Sequence, residues 1–101
     1  MEEILINILN NMEKRIIFAD NKLVIRYLNK AAKQHLLKKD LKDLEGKSLL
    51  KFHKDETNKK LLSVLEELQM NNNLEKVMIN TTTIYAVRDE DKNLIGIYEM
   101  Y

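Results

Sequence analysis

Ile16-Ile17-Phe18-Ala19-Asp20-Asn21-Lys22-Leu23-Val24-Ile25-Arg26-Tyr27-Leu28-Asn29-Lys30-Ala31-Ala32 reads as a strand, a turn, a second strand and the opening of a helix. Ile16, Ile17 and Phe18 suit a strand. Asp20 and Asn21 form a turn pair, because both side chains can bond nearby backbone and Asn tolerates a left-handed conformation. Leu23, Val24, Ile25 and Tyr27 resume the strand pattern. Asn29 is placed to cap a helix by accepting from its free N–H groups. A hairpin that runs straight into helices points to an α+β fold.

Working outward, residues 1–12 carry Ile4, Leu5, Ile8, Leu9 and Met12 at helical spacing, with Glu2, Glu3, Asn7, Asn10 and Asn11 behind them. This amphipathic N-terminal helix is set apart from a domain over 13–101. Its apolar stripe needs cover, either from the domain's own core or from a second copy of the chain. After the hairpin, Lys30 to Lys39 reads as a short helix with Ala32, His35 and Leu36 on one face. Leu41 to Leu44 suggests one further helical turn, closed by Gly46 in a left-handed cap. Ser48 starts another turn that ends at His53. The longest helix is expected from Asp55 or Thr57 to about Met70, with Leu61, Val64, Leu65 and Leu68 at i, i+3, i+4 and i+7 and Leu62 widening the stripe.

The last third is strand-like. Val77 and Ile79 share one face of a strand over 75–80, and Ile84 and Ala86 one face of a strand over 81–88. A polar loop leads into a final strand, Leu94 to Tyr101, where Gly96 marks a bulge or a close approach. Two strands, several helices and three strands suggest a single five-stranded antiparallel sheet with helices packed on one face and a cavity between.

The bulk numbers exclude several classes. The chain has 101 residues, 45% hydrophobic and 33% charged, which suits one folded domain. Seventeen basic and sixteen acidic side chains give a net charge of +1, so no field draws nucleic acid or an anionic membrane. The N-terminus lacks the basic start and apolar run of a signal peptide, and a cytoplasmic location is expected. With no cysteine there is no disulfide, thiolate metal site or thiol nucleophile. With two glycines there is no Gly-rich phosphate loop. Ser48 and Ser63 stand in no nucleophile elbow, so no enzyme is expected.

This order of elements resembles a PAS domain. The resemblance is carried by Phe18-Ala19-Asp20-Asn21 in the first turn, Asn29-Lys30-Ala31-Ala32 after it, Gly46-Lys47-Ser48-Leu49, and the closing hairpin from Val87 to Gly96. The glycines usual in the first and last turns are missing, and Asn21 and Asn93 are expected to supply the positive φ instead. The resemblance implies a sensory module that holds a metabolite or cofactor between sheet and helices, or a surface for dimerisation. With nothing following Tyr101, a signal is expected to leave through a self-contact or a separate signalling protein.

The expected cavity is lined by Phe18, Ile25, Tyr27, Leu36, Leu49, Phe52, Leu61, Leu65, Ile84, Ala86 and Ile97. His53, just before the long helix, is the leading polar candidate. The positive end of the helix dipole favours a neutral ring there, the form that binds iron. Haem-binding PAS domains use a helix His in this general region, so haem b on His53 is the sharpest form of the ligand reading. The bland alternative has His53 bonding backbone and fixing its loop. His35 is the second candidate, more simply a partly buried residue of the helix face. Asp89-Glu90-Asp91 could attract a cation, though such loop clusters are usually just solvated. A homodimer through the N-terminal helix and the sheet is expected, and a ligand-free dimerisation or protein-interaction module is the competing reading.

Overall fold

The computed structural model describes residues 2–101. The elements are α1 (Glu3–Asn10), β1 (Ile16–Asp20), β2 (Ile25–Leu28), α2 (Lys30–Leu37), a 3-10 turn (Leu49–Phe52), α3 (Asp55–Met70), β3 (Lys76–Ile79), β4 (Thr82–Arg88) and β5 (Leu94–Met100). The five strands form one antiparallel sheet in the order β2-β1-β5-β4-β3. The last strand therefore lies at the centre, and the ribbons from the two ends of the chain meet there.

The first ribbon is set by Asp20. Its Oδ1 accepts from the Lys22 and Val24 N–H groups at 2.9 and 3.1 Å, and its Oδ2 accepts from Arg26 Nε at 2.8 Å. Burial pushes this carboxyl up, but the bonds from Arg26, Val24 and Lys22 outweigh it and hold it below its ordinary value. The positive φ of the turn falls on Leu23, at 61°, and not on Asn21. A left-handed leucine is strained. It is held because its side chain is 1% exposed and its carbonyl accepts from the Leu49 N–H at 2.7 Å.

Next comes a bulge: Phe18 pairs with Tyr27 but Ala19 pairs with Ile25, so Arg26 is the extra residue. The bulge reverses the alternation of β2. Ile25 and Leu28 turn inward, while Tyr27 turns to the outer face beside Phe18.

Asn29 joins three elements. Its side chain is fully buried. Oδ1 accepts from the Ile16 and Ala32 N–H groups, both at 3.0 Å. Nδ2 donates to the carbonyls of Leu9 and Lys14 at 2.9 and 2.8 Å. The expected helix cap is thus also the clasp that fixes the end of α1 to β1. Asn10 adds to it, accepting from Tyr27 Oη and the Lys30 N–H at 3.0 Å each.

α2 ends in a Schellman motif with Asp40 in the left-handed position, φ 59°, and Leu41 N bonding Leu36 O at 3.0 Å. The expected extra turn over Leu41–Leu44 does not form. Asp43 is also left-handed, and Leu44 reaches the core from an extended path. Gly46 is left-handed at φ 87°, but in the turn that feeds Lys47–Leu49 alongside β2.

α3 buries Leu61, Val64 and Leu68 against the sheet, while Leu62 is 50% exposed. Arg88 of β4 closes its far end, donating from Nη2 to the carbonyls of Leu68, Asn71 and Leu74 at 2.7, 3.0 and 3.0 Å. A guanidinium suits the negative end of a helix. The core is Leu23, Ile25, Leu61, Leu68, Ile84 and Ile97 with their neighbours. Each such side chain contributes about 1.5–3 kcal/mol by leaving water.

Gly96 is where β5 passes closest to β1. A Cβ there would stand 2.2 Å from the Ala19 carbonyl oxygen, and β5 bulges beside it, with Ile95 the extra residue between the pairs Val87–Gly96 and Arg88–Leu94. The final turn is built on Asp89. Its Oδ1 accepts from the Asp91 and Asn93 N–H groups at 2.9 Å each. Bonds from Asn93 hold this carboxyl below its ordinary value. The positive φ sits on Lys92, not on Asn93. Asp89 is thus a turn-former, and among the described residues no cluster of three or more His, Asp or Glu side chains has metal-ligand geometry.

Candidate ligand site

Period-two alternation along β5 turns Ile97 and Glu99 inward and Tyr98 and Met100 outward. Glu99 is therefore a carboxyl on the core face of the central strand. It pairs in register with Ile17 on one side and Ile84 on the other, so both cross-strand neighbours are apolar. It is 8% exposed. Its side chain has no hydrogen bond and no ion pair within 4.0 Å among the described residues. Burial pushes its carboxyl above the ordinary value, partly offset by His53 nearby.

Two hollows open between the sheet and the helices, and Glu99 and His53 line both. The first, about 230 Å³, also takes in Ile25, His35, Leu36, Leu49, Phe52 and Tyr101. The second, about 250 Å³, is bounded by Thr57, Leu61, Thr81, Thr82 and Ile84. His53 is positioned by the end of the 3-10 turn, which Ser48 caps by accepting from the Leu50 N–H at 3.2 Å. Its Nδ1 lies 3.0 Å from the Leu49 carbonyl oxygen. A carbonyl oxygen can only accept, so Nδ1 donates that bond and Nε2 is left outside it. The backbone-bonded role expected as the bland alternative is therefore present, and it coexists with a free ring nitrogen.

His35 shares the first hollow, edge-on to Tyr101 with ring centroids 6.3 Å apart. Burial, then Arg15, Lys39 and Lys38, push its imidazole below the ordinary value. Tyr101 is held by paired backbone bonds to Arg15, whose guanidinium lies 5.1 Å from its ring centroid. Burial and then Glu99 push the Tyr101 phenol up, with Arg15 opposing.

Of the residues expected to line the cavity, Ile25, Leu36, Leu49 and Phe52 meet the first hollow and Leu61 and Ile84 the second. Leu65, Ala86 and Ile97 pack in the core but line neither. Phe18 and Tyr27 are on the wrong side of the sheet for this cavity: Phe18 alternates outward between Ile17 and Ala19, and the bulge in β2 turns Tyr27 outward beside it. They line an outer groove of about 330 Å³ with Leu9, Met12, Ile16, Tyr98 and Met100. Glu99 was missed from sequence, since a charge on a terminal strand suggests a solvent face. Counting two residues on from Ile97 would have found it.

The family model for the PAS domain matches residues 5–101. The chain belongs to the PAS family. Among solved structures this PAS domain is similar to a C-terminal domain from Streptococcus mutans, with a TM-score of 0.74 and 22% identity over 95% of this chain and 79% of that one. A sensory box sensor histidine kinase from Vibrio cholerae matches with a TM-score of 0.59 and 11% identity, covering 96% of this chain and 86% of that one. The Aer2 receptor of Vibrio cholerae, described as a dual PAS-haem oxygen sensor, matches with a TM-score of 0.55 and 21% identity, covering 86% and 90%. At these identities the likeness is one of fold. No curated protein matches the chain. Among the described residues no helix of the PAS domain is long and apolar enough to cross a membrane.

Proposed function

We propose that this PAS domain is a non-catalytic, cytoplasmic sensory module that holds a small molecule between sheet and helices, gripped at His53 and Glu99. The observation that carries the reading is Glu99, a residue 8% exposed whose carboxyl has no hydrogen-bond or ion-pair partner among the described residues and lines both hollows. Buried polar groups in folded proteins are nearly always partnered, and those that are not point to a ligand, a water or a function. An apolar hollow with a few placed polar groups is the usual form of a small-molecule site.

Haem b is the narrower version of this reading. The tautomer of His53 suits an axial ligand, and one neighbour of the same fold is described as a haem sensor. The space does not suit it. Each hollow falls below the roughly 300–1,000 Å³ of cofactor and drug-sized sites. A macrocycle would have to span both, through the position of Glu99. A smaller ligand fits the cavity better. Mass spectrometry of the purified chain under native conditions is expected to reveal an added small mass that denaturation releases. A Soret band after mixing with haem, lost in His53→Ala, would replace this reading with the haem one.

The second reading, self-association, draws on the opposite face. Ile4, Leu5 and Ile8 of α1 are 64%, 50% and 55% exposed, next to the outer groove. In a two-fold dimer the helix stripe of one copy would cover the groove of the other. Sizing should give a dimer for the native chain and a monomer for Ile4→Glu/Ile8→Glu. A monomeric native chain would sink it.

A further inference from the structure

We infer that the molecule bound in this cavity is a small organic cation, an amine or amidine carried on a compact apolar body. The inference rests on the ligand-site reading and adds the chemistry of recognition. A buried carboxylate with no partner either takes up a proton or finds a cation. Here the fold brings no cation within ion-pair distance, and His53 is the one base close enough to offset the effect of burial in part. Across the strands Glu99 meets Ile17 and Ile84. Along its own strand the next inward side chain is the phenol of Tyr101. From the junction before α3 it meets His53, whose Nδ1 is already committed to the Leu49 carbonyl. His35 of α2 and Lys39 just after it share the first hollow, yet neither comes within ion-pair distance, and Lys39 is exposed. Arg15 is held over the ring of Tyr101.

A ligand N–H cation supplies what the fold withholds, since charge-assisted bonds to a carboxylate are the strong ones, and an amidine can make two in parallel. Burial raises the proton affinity of this carboxyl, so in acid, where the carboxyl holds a proton, docking the cation releases that proton to solvent. The apolar body follows from Ile25, Leu49 and Phe52 in the first hollow. An anionic ligand seated against Glu99 would meet like charge, and Lys39, the fixed cation of the first hollow, is exposed at its edge.

Four probes separate the possibilities: benzamidine and phenethylamine as cations, benzyl alcohol as the neutral comparison, and benzoate as the anion. They are titrated by calorimetry into the full chain and into Glu99→Gln, which keeps the shape of the side chain, with Glu99→Asp as a second variant that keeps the charge but shortens its reach. Benzamidine is expected to bind at least about 30-fold more tightly than benzoate, and Glu99→Gln to weaken it by about 30-fold while leaving benzyl alcohol unchanged. Its heat in mildly acidic solution should scale with the ionisation enthalpy of the buffer, reporting the released proton. Benzoate or benzyl alcohol binding as well as benzamidine, or benzamidine binding equally to Glu99→Gln, would overturn the cation inference and leave the cavity a ligand site. If none of the four shifts the amide resonances of Ile17, Leu49 and Ile84, the ligand-site reading falls with it.

Discussion

On the inner face of the sheet Ile17, Ile25, Ile84 and Ile97 are almost wholly shut from water, and Glu99 stands among them. On the outer face Phe18, Tyr27, Tyr98 and Met100 line an open groove, and Tyr85 stacks on Tyr98 at 4.7 Å. The inner hollows combine apolar walls with a carboxyl, an imidazole and hydroxyls. The outer groove is almost purely apolar. Small ligands are read by a few placed polar groups in an apolar cavity. Protein contacts have apolar centres depleted in charge. The two faces of one thin sheet are thus finished for different kinds of occupant, and β5 carries residues of both in strict alternation.

The largest effect is expected where the faces are tied together. Asn29→Ala removes a helix cap and strands the buried Ile16 N–H and two carbonyls, so a loss of about 4 kcal/mol is expected in urea unfolding. A loss under about 1 kcal/mol would mean that the clasp between α1 and the ribbon is not what positions the outer groove. Next comes a direct contrast of faces. Leu61→Ala, in the core wall of the inner hollow, should cost about 3 kcal/mol. Met78→Ala, 61% exposed on β3, should stay within about 0.5 kcal/mol. Similar costs at both sites would erase the distinction.

A modest effect of the opposite sign is expected at Glu99. Glu99 has a raised carboxyl in the fold. Its protonated form is therefore the one the fold prefers. That stability is fully present below the unfolded value and is lost as pH rises through the folded one. Glu99→Gln should therefore stabilise the chain at neutral pH, by about 1 kcal/mol, and the gain should fade in acid. Chemical unfolding at both pH values measures it, and destabilisation at neutral pH would show that Glu99 has a partner in the fold.

The sheet and its helices were legible because the signals are local: a turn at Asp20, a cap at Asn29, a stripe on α3 and a close approach at Gly96. What the sequence concealed is long-range. Ile16-Ile17-Phe18 is apolar throughout because both faces of β1 are partly covered, so alternation could not tell Phe18 from Ile17. Tyr27 was misplaced because a bulge opposite Phe18 and Ala19 reverses its parity, and no single residue announces it. The four partners of Asn29 lie 3 to 20 residues away, beyond what capping rules see. Leu41–Leu44 looked helical by composition, but two left-handed aspartates and the burial of Leu44 win over propensity. The histidines were picked out from sequence and do meet at one hollow. The carboxyl that organises it was not, because its meaning depends on β5 being central.

The most direct test follows the carboxyl carbon of Glu99 by NMR from acid to mildly alkaline pH, with Glu99→Gln for assignment. The account expects a single titration clearly above the ordinary value of 4.5, moving downward when benzamidine is added. A titration at or below that value in the free chain would contradict it, because the carboxyl would then already be partnered and the cavity would have nothing to offer a cation.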